Sequence, residues 1–208
     1  MGILDVILGR TKPAGAKLDD LFGLPGALIT LEASENLVAT NSAGVCYKPM
    51  AGQPFVKTEE EMRQLLGLAG TDGDDPSGSM RYEGDKYGYQ WTVISSSDFQ
   101  TLVTQVHLVN TTIEGEGYGA QLLCSVFGFH AGPDGSEGAP GSGSGNYGGS
   151  TYLVYLYKRG TFYPFVPLGG RERRDSQTEL TLEAVLKHDL KIEPDKERWM
   201  PLWSLPVT

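Results

Sequence analysis

Histidine, cysteine and long apolar runs are scarce in this sequence, and each scarcity removes a class of function. The chain has three histidines and two cysteines in 208 residues. His107, His130 and His188 form no HExxH pattern and no i, i+4 pair, so a helical zinc site has no support. Cys46 and Cys124 share no CxxC spacing and sit in apolar runs, Val45-Cys46-Tyr47 and Leu123-Cys124-Ser125-Val126, which reads as small buried thiols. Two cysteines are also too few for a secreted disulfide scaffold. No window approaches the roughly 18 apolar residues of a membrane span, and the opening Met1–Arg10 segment, interrupted by Asp5, has the reverse of a signal peptide's charge order. The expected location is cytoplasmic, with at most peripheral membrane contact through residues 1–10. A net charge of −9 repels phosphate backbones and argues against a nucleic-acid partner.

Other catalytic and binding patterns fail on inspection. Ser125 lacks the Gly-x-Ser-x-Gly elbow. Asp72, Asp74 and Asp75 lack the spacing and terminal Glu of a calcium loop. The Gly-Ser-Gly-Ser-Gly run at 141–145 precedes no Lys-Ser/Thr pair and opens no helix, so it is no phosphate loop. A nucleophile and base can be drawn on paper from Cys124 and His107, but only if folding brings them within hydrogen-bond reach. The expectation is a protein with no catalytic residues, no metal and no cofactor.

The remaining pattern is that of a globular α+β protein. Hydrophobic residues make up 39 % and charged residues 21 %, enough for a core and too apolar for disorder. Residues 1–16 read as an N-terminal segment and linker. Leu18, Leu21 and Phe22 suggest a short helix stopped by Pro25-Gly26, and Ala27 to Glu32 then alternates like a strand. Val38–Thr40 and Val45–Lys48 suggest a hairpin around Asn41-Ser42-Ala43-Gly44. Thr58 to Gly67 reads as a capped helix, and 70–79 as an exposed connection. A second hairpin turns at Gly84-Asp85-Lys86, with Tyr87, Tyr89, Trp91 and Val93 on one face. Asp98 begins the strongest helix, on which Phe99, Leu102, Val103, Val106, Val109 and Ile113 repeat at helical spacing until Gly115 and Gly117. Residues 121–130, 151–157 and 162–166 read as strands and Leu182–Leu190 as a last helix. Between 131 and 150 lie eight glycines, two prolines and no apolar period, which predicts a flexible insertion. The architecture expected is a mostly antiparallel sheet covered by helices. Residues 17–208 form either a single domain or two packed lobes, about 17–97 and 98–208, of secretion chaperone-like topology.

Two patches rise above the background, each with a structural reading, core and helix cover for the aromatics and a solvated loop for the arginines, and with a candidate interaction surface as the alternative. One is the aromatic run Tyr155, Tyr157, Phe162, Tyr163 and Phe165, with Lys158 and Arg159 at its turn. The other is the basic spot Arg171, Arg173 and Arg174, suited to docking a carboxylate-rich helix.

The chain resembles the PspA-associated PspAB family of bacteria and archaea. The resemblance is carried by Met1–Pro13, Gly119–Cys124, Tyr155–Phe165, Glu172–Asp175, Glu193-Pro194-Asp195 and Arg198-Trp199, and it runs nearly end to end apart from the 131–150 insertion. It implies an accessory role around PspA, the coiled-coil membrane-remodelling protein of envelope-stress responses, and in some genomes an association with the membrane metalloprotease HtpX. It transfers no catalytic residue. The element order over 17–115 is also similar to YbjN-like and type III secretion chaperone-like proteins, which implies a peptide-binding homodimer.

Overall fold

The computed structural model describes residues 17–49, 62, 64, 78–132, 149–169 and 172–207. The segment 1–16, most of the 58–67 helix and 70–79 connection, the Gly-rich insertion except its ends, and Arg171 lie outside the described residues.

A 3-10 turn over Leu18–Gly23 leads directly into helix α1, Leu24–Glu35. The strand expected from Ala27 is therefore a helix. Pro25 occupies the first helical turn, where its missing N–H costs nothing, so it starts the helix instead of stopping one. Leu24, Ala27 and Leu31 bury at helical spacing, Ile29 points outward, and Asn36 closes the helix in the left-handed conformation.

The expected first hairpin is a single strand, β1, Leu37–Tyr47. Its turn-like Asn41-Ser42 is a bulge: Ala39 faces Phe129 and Ala43 faces Phe127, so three residues of β1 stand opposite Gly128 alone. Asn41 takes the positive φ of 57° that this requires. Strands β2 (Gly78–Gly84) and β3 (Gln90–Ser96) form the second hairpin. Asp98 then caps helix α2, Phe99–Ile113, by accepting from the Thr101 N–H at 2.8 Å. All six residues of the expected apolar stripe of α2 are buried. A π-turn at Glu114–Tyr118, reversed by Gly117 at φ 86°, delivers the chain to β4, Leu122–Ala131. Strands β5 (Thr151–Leu156) and β6 (Thr161–Phe165), a small β7–β8 pair (Pro167–Leu168 and Arg173–Arg174) and helix α3 (Ser176–Leu186) follow.

The main sheet is antiparallel throughout, in the order β2-β3-β1-β4-β5-β6. The α+β expectation holds. A division into two lobes is not confirmed, because β1 from one half pairs with β4 from the other in the middle of the sheet.

Period-2 alternation gives the sheet two apolar faces. On one, Val45, Tyr47, Ile94, Phe127, Phe129, Leu153, Tyr155 and Phe162 pack with the helices and with Met62. On the other, Cys46, Trp91, Val93, Cys124, Val126, Val154, Tyr163 and Phe165 are covered by the tail that runs from Trp199 to Val207. Glycine lets this tail lie close. A Cβ on Gly44 would stand 2.9 Å from Val207 Cγ2 and 3.0 Å from Trp91 Cε3. We predict that Gly44→Ala lowers stability by about 1–3 kcal/mol through this overpacking, read as a shift of the urea midpoint.

Candidate functional site

Of the two readings of the aromatic run, the structure takes the structural one: its aromatics are core residues of the chain itself. Tyr155, Phe162, Tyr163 and Phe165 are at most 1 % exposed and Tyr157 5 %. Their alternation feeds both clusters, Tyr155, Tyr157 and Phe162 toward the helices and Tyr163 and Phe165 toward the tail. Buried hydroxyls need partners: Tyr155 donates to the Lys17 carbonyl and Tyr163 to that of Met200.

The cations divide in the same way. Arg159 forks onto the buried carboxylate of Glu193, Nε at 2.5 Å and Nη2 at 3.1 Å, while Thr161 donates to the same group at 2.6 Å. Arg174 docks the carboxylate of Glu179, in the first turn of α3, at 2.8 Å. The carboxylate-bearing helix sought for the basic spot is thus the chain's own. Arg174 also donates to the Trp199 carbonyl, holding the start of the tail. Burial raises the Glu179 carboxyl despite the bonds from the Val166 N–H and Arg174. Lys158 and Arg173 are exposed. His107 contacts Asp19 and Phe22 on the helix side of the sheet, whereas Cys124 is on the tail side. The paper pairing of those two residues does not assemble. Among the described residues, no group of three or more His, Cys, Asp or Glu is placed to hold a metal.

The site that the fold builds lies on the tail side. Among the described residues, the tail leaves part of the second sheet face uncovered, and a cleft of about 750 Å³ opens there. Cys46, Cys124, Trp91 and Tyr163 form its floor, and Met200, Pro201, Leu202 and Trp203 of the tail form one wall. The β2–β3 turn supplies Asp85, Tyr87 and Tyr89, and Glu172 completes the rim. A bulge aims Leu123 inward: the ladder shifts between Cys46–Cys124 and Tyr47–Leu122, leaving Leu123 as the extra residue of β4.

Asp85 organises the rim. Its carboxylate accepts from the backbone N–H groups of Tyr87 at 2.8 Å and Tyr89 at 2.9 Å, and from the Trp91 indole at 3.0 Å. Burial opposes its charge, but these donors outweigh burial and hold the carboxyl below its ordinary range. Tyr87 donates to Glu172, which also pairs with Lys86. The rim thus presents half-exposed aromatics beside acids, with Met200 59 % exposed opposite them.

Sequence reading missed this cleft. The alternation of Tyr87, Tyr89 and Trp91 was visible, yet the two tyrosines belong to the turn and Trp91 to the strand. Trp199-Met200-Pro201-Leu202-Trp203 was the available signal, an apolar run that Pro201 keeps out of a helix.

Two expectations follow from this geometry. Asp85→Ala unties the turn and the Trp91 indole together and should cost about 2 kcal/mol, with a shift in tryptophan fluorescence. For Glu193, burial opposes ionisation, but Arg159, Thr161 and the Asp195 N–H outweigh it and lower its carboxyl. A lowered carboxyl stabilises above its unfolded value of about 4.3 and loses that contribution as pH falls through the folded value. The stability gap between wild type and Glu193→Gln should therefore be widest near neutrality and shrink below about pH 4, in urea melts across pH.

The model of the family described as PspA associated protein B matches residues 1–207. No curated protein and no solved structure matches the chain.

Proposed function

Because the chain belongs to the PspA associated protein B family, we propose that it is a non-enzymatic accessory protein of the PspA envelope-stress system, acting by protein contact through the tail-side cleft. The family description supports the association with PspA. The observation that carries the contact mode is the cleft itself, whose apolar floor and half-exposed Tyr87, Tyr89 and Met200 are what an amphipathic helix needs for docking. Aromatic and methionine side chains are typical interface anchors. The rim acids Asp85 and Glu172 favour a helix with basic residues flanking its apolar stripe. A coiled-coil partner such as PspA offers helices of this kind.

Placement in the cytoplasm, peripheral to the membrane, belongs to the same proposal. No described helix is long and apolar enough to cross a membrane. The HtpX-type protease is a further candidate partner on the resemblance alone. The cleft also fits the chaperone-like alternative, a homodimer that shields a peptide. Sedimentation separates the two, since a monomer at working concentration excludes that alternative.

The direct test is retention of purified PspA on the immobilised chain, with and without vesicles. Wild type should retain PspA, and Tyr89→Asp or Met200→Asp should weaken binding by about tenfold or more each. Failure to retain PspA in either condition, or unchanged binding by both variants, would count against the reading.

A further inference from the structure

The sheet brings together two residues that are 78 positions apart. Cys46 of β1 stands directly opposite Cys124 of β4 in the antiparallel ladder. Both side chains point to the tail side, and both line the floor of the cleft. Opposed residues in such a ladder have Cα atoms about 4.5–5.5 Å apart, within the roughly 4.4–6.8 Å that disulfides span. Both are free thiols, and the cleft gives a small reagent a route to them.

The surroundings favour neutral sulfur. Trp91, Leu123 and Leu156 present apolar surface to the cleft. Among the described residues, the ionisable groups that line it beside the thiols are Asp85, Tyr87 and Tyr89 from the turn, Tyr163 from β6, and Glu172, and none of these is cationic. The Cys46 thiol is pushed far above its ordinary range by its hydrogen bond with Cys124, then by burial, then by the charges of Cys124 and Asp85. The thiolate, the form that attacks a peroxide, is therefore scarce here, and the oxidation is slow. A disulfide carries no charge and is compatible with the same walls.

We propose that Cys46 and Cys124 are a site of reversible oxidative modification, a dithiol that a peroxide-class oxidant converts into a disulfide between β1 and β4. One sulfur attacks a peroxide oxygen, the O–O bond breaks, and a sulfenic acid and one water result. The second sulfur displaces hydroxide from the sulfenic sulfur, forming the S–S bond and releasing a second water. The two sulfurs give up two electrons and two protons in all, and the peroxide takes both. A dithiol reductant reverses the change. The proposal rests on the sheet register and does not depend on what occupies the cleft.

The test treats the folded full-length chain with hydrogen peroxide, removes the oxidant, alkylates remaining thiols and maps the unreduced digest by mass spectrometry. The expected result is one linked peptide pair joining Cys46 to Cys124, lighter by two hydrogens and restored by dithiothreitol. Cys46→Ser and Cys124→Ser should each abolish it. The wild-type chain should also melt several degrees higher once oxidised, because the bond constrains the unfolded chain. The proposal is overturned if both cysteines stay alkylatable, if they oxidise separately to sulfinic acids, or if the link joins two molecules. A fall in melting temperature on oxidation would overturn it too, since the bond would then strain the ladder.

Discussion

The pairing of β1 with β4 is the constraint on which the rest of this structure depends. It unites the two halves of the chain at the centre of one sheet and leaves that sheet apolar on both faces. A sheet with two apolar faces must be covered twice. Helices cover one face through the stripes of α1, α2 and α3. The second is covered by an irregular tail, whose backbone carbonyls must be satisfied by side chains because no ladder is available to them. Tyr152 donates to Val207, Tyr163 to Met200, Arg81 to Pro206 and Arg174 to Trp199.

This difference in cover explains where the cleft lies. A helix presents a continuous stripe and closes a face uniformly, whereas an extended tail covers only the width of one strand. Trp203, Leu205 and Val207 pack over part of the tail-side cluster, and among the described residues nothing covers the region over Cys46 and Cys124. The β2–β3 turn, tied by Asp85 to the indole of Trp91, forms the opposite bank. The opening is therefore a consequence of construction, bounded by elements with their own hydrogen-bond anchors.

Buried charge plays a structural part. Glu193 and Glu179 each meet an arginine, Arg159 from the aromatic run and Arg174 from the basic spot. Each arginine satisfies a carboxylate that would otherwise be costly to bury, and each pair fixes the approach of the C-terminal region to β6. The patch rich in aromatics and arginines is thus the seam between sheet and tail. Such residues suit an interface, and here the interface is internal.

What the sequence by itself determined was local: the stripe and cap of α2, the apolar strands β4, β5 and β6, the second hairpin, and the burial of both cysteines. Those features follow from periodicity and capping, which depend on neighbours a few residues away. The family resemblance was also legible, because it rests on short segments spread along the chain. Only the tertiary structure decided that Pro25 opens a helix, that Asn41-Ser42 is a bulge and not a turn, and that the aromatics between Tyr155 and Phe165 are covered by helices on one face and by the tail on the other. Each of those outcomes turns on which surface lies opposite, and sequence spacing does not carry that information. The same holds for the cleft and for the meeting of Cys46 with Cys124, since strand register between distant segments is set by the whole sheet.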